Sequence, residues 1–81
     1  MDPKTALTDY IQRELLHGRV KDLKEDQDLL SAGIIDSLGI LQLVAFMEKQ
    51  LGIQVPDEDV IFENFQSIRA MTEYVKQRQS A

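Results

Sequence analysis

The segment from Ser37 to Leu51, SLGILQLVAFMEKQL, constrains the fold more than any other part of the chain. Its apolar residues recur at helical spacing, but on two faces rather than one. Ile40, Leu43, Met47 and Leu51 form one stripe, while Leu38, Leu41 and Ala45 lie on another. A surface helix needs one apolar stripe to rest on its core. A helix with a second one calls for a second cover, either further core packing or a partner that docks. Asp36 and Ser37 can cap its start and Gly52 stops it, giving a helix over about 37–51.

The rest of the chain supplies the first cover. Asp2-Pro3 pairs a capping acid with proline at the first helical position, and Leu7, Ile11 and Leu15 follow at spacing four, with Tyr10 beside them. Gly18 ends that helix, predicted over about 4–17. From Gly18 to Asp36 the helical period disappears, although Val20, Leu23, Leu29, Leu30, Ile34 and Ile35 remain apolar. So long a connection inside a small domain is uncommon and usually functional, and its apolar residues predict that it is pinned to the core. Leu29–Gly33 is expected to form a single turn. Beyond Pro56, the acidic run Asp57-Glu58-Asp59 suits the start of a short helix at about 58–63, with Phe62 and Phe65 as anchors. Ser67 can cap a last helix over about 68–78 with Ile68, Met71 and Val75 inward, followed by a polar tail expected to fray. The expected fold is all-α: one domain over residues 1–81, a four-helix bundle of three longer helices and one short one. A long ordered loop separates the first two.

Composition removes most chemistries. The 81 residues include no cysteine, so neither a disulfide framework nor a thiolate zinc site is available. One histidine excludes multi-histidine metal sites, and His17 at the end of the first helix has a surface role as its default. Ser37 lies in a different segment from that histidine, which leaves a hydrolase without a positioned base. Asp26-Gln27-Asp28 lacks the glycine and terminal glutamate of a calcium loop. Acids outnumber bases 14 to 9, for a net charge of −5. That balance disfavours nucleic acid, whose backbone is held by Lys and Arg, and points to basic partners. No apolar run reaches the length of a membrane span and the N-terminus has no signal-peptide core. A cytoplasmic monomer is the expectation.

The stretch Gly33-Ile34-Ile35-Asp36-Ser37-Leu38 holds the most specific signal. It sets a serine at the N-terminus of the central helix, where unpaired N–H groups and the helix dipole favour a negative group. Taken as a dipeptide, Asp36-Ser37 needs no explanation beyond capping. In context it resembles the attachment site of acyl and peptidyl carrier proteins of the stand-alone type. The resemblance runs through Asp28-Leu29-Leu30, Gly33, Ile35-Asp36-Ser37-Leu38, Leu43-Val44, Leu51-Gly52-Ile53, Val55-Pro56, Phe65, Ser67-Ile68 and Tyr74-Val75. It spans residues from about 5 to 78 in the family's order.

The resemblance implies a carrier with no catalysis of its own, bearing 4′-phosphopantetheine on Ser37. A phosphopantetheinyl transferase would install the group from coenzyme A. An amino-acid- or acyl-activating ligase and downstream transferases or modifying enzymes would be the other partners. Asp36 would serve transferase recognition, helix capping or both, and Leu38, Leu41 and Ala45 would contact partners. Fatty-acid carriers often have an acidic second helix. Here Gln42, Glu48, Lys49 and Gln50 leave it formally neutral, and Gly39 stands where an acid is usual. The acids lie instead in the loop (Asp22, Glu25, Asp26, Asp28) and in the short helix (Asp57, Glu58, Asp59, Glu63). That departure favours an aminoacyl or peptidyl carrier over one for fatty-acid synthesis. An unmodified carrier-fold interaction module is the rival from another class.

Overall fold

The computed structural model describes residues 2–18 and 23–80, and among these every regular element is helical. Helix α1 (Pro3–Tyr10) runs directly into a π-turn (Ile11–Leu15). Helix α2 spans Ser37–Gln50. After a 3₁₀ turn (Asp57–Asp59) come the short α3 (Phe62–Phe65) and then α4 (Ile68–Ser80). No helix among the described residues is long and apolar enough to cross a membrane.

Each longer helix starts on a side-chain oxygen that accepts an otherwise orphaned N–H. Asp2 accepts from Thr5 at 3.2 Å, Asp36 from Gly39 at 3.0 Å and Ser67 from Ala70 at 3.1 Å. Leu7, Ile11, Leu43, Met47, Phe65, Ile68, Met71 and Val75 are fully buried and make up the centre of the core. Tyr10 stacks on Phe46, ring centroids 4.3 Å apart, and so joins α1 to α2.

The first helix departs from the simple period. Its π-turn closes with the Leu16 N–H on the Ile11 carbonyl at 2.9 Å, one residue wider than an α-turn. The extra residue shifts the helical phase, so Leu16 is buried and Leu15, the expected core residue, is only half-buried. Gly18 ends the helix at φ +75°, its N–H on the Gln12 carbonyl.

The connection between α1 and α2 is anchored at several points. Leu29 is completely buried; its N–H donates to the Gln66 carbonyl at 2.7 Å, and its own carbonyl accepts from Ile34 and Ile35. The Asp28 carboxylate accepts from the N–H groups of Ser31 and Leu30, and the Ser31 bond in particular holds its pKa below the usual carboxylate range. Gly33 then closes the turn at φ +72°, a conformation that costs glycine little. Glu25 meets Lys4 at 3.0 Å and Arg69 at 3.2 Å, and its carbonyl accepts from the Arg69 N–H. Of the expected loop residues, Val20 and Asp22 lie outside the described set.

The region after Pro56 corrects two expectations. A 3₁₀ turn and the later α3 replace a continuous helix over 58–63, and only Phe65 is an anchor, because Phe62 is 45 % exposed. The polar tail is helical to Ser80 instead of frayed. Arg78 Nε donates to the Gln54 carbonyl and Gln79 Nε2 to that of Leu51, tying α4 to the segment after α2.

Tyr74 gives this region a pH signature. Its side chain is buried, and its hydroxyl donates to Asp59 Oδ2 at 2.7 Å. Burial, then the hydrogen bond to Asp59, push its pKa up to about 12. An unfolded tyrosine titrates near pH 10. The folded-state pKa is therefore raised, so the stabilisation is complete below about pH 10 and disappears as pH climbs towards 12. We expect Tyr74 to account for a fall on the order of 2 kcal/mol across that window, and Tyr74→Phe to remove that part and leave the contribution of Tyr10, whose pKa burial also raises. Denaturant melts of both proteins from pH 9 to 12 check this. Parallel pH profiles would contradict it.

Candidate attachment site

The candidate site is a corner where the anchored loop turns into α2. Ile34 and Ile35 end the loop, Asp36 caps the helix in an extended conformation, and Ser37 is its first residue. The N–H groups of that first turn have no partner within the helix. Gly39's is taken by Asp36. Those of Ser37 and Leu38 point out with the positive end of a 14-residue helix. The Ser37 side chain is exposed.

Depressions flank the corner. A groove of about 440 Å³ runs between the end of α1 (Glu14, Leu15, His17) and the start of α2 (Leu38, Gly39, Gln42), floored by Gly33–Asp36. A second, of about 380 Å³, is bordered by Leu30, Gly33, Ile35, Ser37 and Ile40. His17 lines this groove and is exposed, with φ +51°. An accessible primary hydroxyl, free backbone donors and open space on both sides fit a phosphodiester-linked arm. Along α2 only Glu48 and Lys49 are charged, and the Glu48 carboxylate is engaged by the Val55 N–H at 3.0 Å.

The second apolar face of α2 is open to solvent. Leu38 is 63 % and Leu41 64 % exposed, and Ala45 is exposed as well. At spacings of three and four they share one side of the helix. On the core side Gly39, Leu43 and Met47 are buried, and Ile40 is half-buried. Ile61 and Phe62 are two further large apolar residues left exposed that sequence reasoning did not assign to a surface. Among the flanking acids, Glu25 is engaged by Lys4 and Arg69, and Asp59 by Tyr74, which leaves Asp26, Asp57, Glu58 and Glu63 as the more available ones.

One further residue shapes the corner. Gly39 follows Ile35 by four residues, and a β-carbon on it would lie 2.7 Å from Ile35 Cγ2. The signal in the sequence is the glycine itself, which stands where fatty-acid carriers usually have an acid.

Residues 5–75 match the phosphopantetheine attachment site family. The chain is similar to the D-alanyl carrier protein of Streptococcus sanguinis (strain SK36), with 30 % identity over the full length of both chains. It is 37 % identical over 62 residues to the D-alanyl carrier protein of Streptococcus uberis, covering 76 % of this chain and 77 % of that one. Among solved structures it resembles a chain in the crystal structure of an FAD-dependent dehydrogenase, with TM-score 0.79 and 30 % identity. That match covers 85 % of this chain and 97 % of the other.

Proposed function

This chain belongs to the phosphopantetheine attachment site family, with 4′-phosphopantetheine as its covalent cofactor, and from that membership we propose that Ser37 carries the group and that the cargo is an aminoacyl unit. The observation that carries this is the exposed Ser37 hydroxyl at the head of α2, inside the matched segment. The Ser37 oxygen attacks the phosphorus next to the pantetheine portion of coenzyme A. A P–O bond to Ser37 forms, the bond to the adenosine bisphosphate portion breaks, and the serine proton leaves to a base on the transferase. When bound, the cofactor supplies the thiol that holds the cargo as a thioester, which supplies what a cysteine-free chain lacks.

The chain's own contribution is placement. α2 offers N–H donors to the phosphodiester, Asp36 caps the helix, and Leu38, Leu41 and Ala45 present the apolar face on which a transferase, a ligase and downstream enzymes alternate. Tethering raises the cargo's effective concentration at each of them. In this reading the chain is one carrier domain, monomeric and cytoplasmic.

The neutral α2 and the D-alanyl carrier relatives support an aminoacyl cargo. The test is to offer the holo protein to amino-acid-activating ligases with each amino acid, and to fatty-acyl-activating ligases. We expect an aminoacyl thioester, seen as a hydroxylamine-labile mass increase. Loading by fatty acids alone would overturn the cargo assignment.

A further inference from the structure

We propose that Gly39 is a positioning residue for the modification of Ser37, an inference that rests on the assignment of Ser37 as the attachment site. A β-carbon at position 39 would lie 2.7 Å from Ile35 Cγ2, a separation that non-bonded carbons do not tolerate, with Asp36 Oδ1 next at 3.6 Å. Gly39 is buried inside α2, so what it supplies is space and not an unusual backbone conformation.

Ile35 cannot readily give way. The colliding methyl sits on the β-carbon, where a branched side chain has little torsional freedom. The side chain is 4 % exposed, within the core. Its N–H is fixed to the Leu29 carbonyl at 3.0 Å, and the Leu29 N–H is fixed to Gln66 at 2.7 Å. Asp36 rests on the same glycine, through the 3.0 Å bond from the Gly39 N–H to its Oδ1. Both residues that lead into Ser37 therefore rest on Gly39: Ile35 in the space that a β-carbon would fill, Asp36 on its N–H. A side chain there would lift Ile35 and turn the corner that aims the Ser37 hydroxyl. It also accounts for the missing acid at this position, since any side chain, acidic ones included, meets Ile35 first.

Three variants test this: Gly39→Ala, Ile35→Leu and the double substitution, each assayed with coenzyme A and a phosphopantetheinyl transferase. Alanine has the higher helix propensity, which offsets packing loss in α2. Leucine keeps the carbon count of isoleucine but lacks the β-branch methyl that collides. For Gly39→Ala we expect kcat to fall on the order of tenfold, as misplacement of a reacting group does, with KM for the carrier little changed because the docking leucines are untouched. Amide exchange at position 39 should quicken as the Asp36 cap loosens. Adding Ile35→Leu should restore both kcat and exchange.

Gly39→Ala modified at the wild-type rate would overturn the proposal, as would a slow variant that Ile35→Leu does not rescue. A slowing that merely follows lost thermal stability would reduce Gly39 to a packing residue and also defeat it. Wild-type protein that takes up no phosphopantetheine would instead overturn the Ser37 assignment beneath it.

Discussion

Replacing Leu29 by alanine is expected to lower the folding free energy by about 2–5 kcal/mol, the range for a large-to-small change at a fully buried leucine. Leu29 sits in the connection between α1 and α2, where a substitution would ordinarily be tolerated. Here it is completely buried, and its backbone links Gln66, between α3 and α4, to Ile34 and Ile35 at the entrance to α2. The loss comes from removed apolar contact and from a cavity that this doubly fixed backbone cannot close. For a domain of this size each kcal/mol shifts Tm by roughly 4–8 °C, so the midpoint should drop by on the order of 10–30 °C. Leu30, half-buried next to it, is the control, and Leu30→Ala should cost clearly less. Thermal and urea unfolding of the two variants measures the difference. Equal costs, or a Leu29→Ala change below about 1 kcal/mol, would mean that the loop is not part of the core.

Much of this architecture was legible because it is locally encoded. Asp2, Asp36 and Ser67 announce helix starts through their own side-chain oxygens, and the structure has those oxygens on N–H groups of the first turns. The two faces of α2 were legible for the same reason: spacing alone separates Leu43 and Met47 from Leu38 and Leu41. What escaped depends on partners distant in sequence. The π-turn left no trace in periodicity, since Leu15 and Leu16 are both leucines and either could face inward. Residue type makes Phe62 look like an anchor, yet the break between the 3₁₀ turn and α3 leaves it outside while Phe65 goes in. The tail continues as helix because Arg78 and Gln79 find carbonyls 24 and 28 residues away. The corner at Ser37 was visible as a motif, but its seat on Gly39 is a contact across the loop-to-helix turn that a motif does not display.

The largest effect of all is expected at Ser37 itself. Its side chain is exposed and the cap bond of α2 comes from Asp36, so Ser37→Ala removes a hydroxyl that the fold does not use. Alanine is also the best helix former, and the variant should match or slightly exceed the wild type in thermal stability. Modification, by contrast, has no substitute nucleophile at that corner, because the chain has no cysteine and Ser37 is the one serine or threonine between Ala32 and Gln66. The variant should therefore be fully folded and wholly inert as a carrier. Intact mass spectrometry after incubation with coenzyme A and a broad-specificity phosphopantetheinyl transferase decides the matter. The account predicts a single phosphopantetheine adduct on the wild-type chain and none on Ser37→Ala; an unmodified wild type, or an adduct that persists in the folded variant, would contradict it.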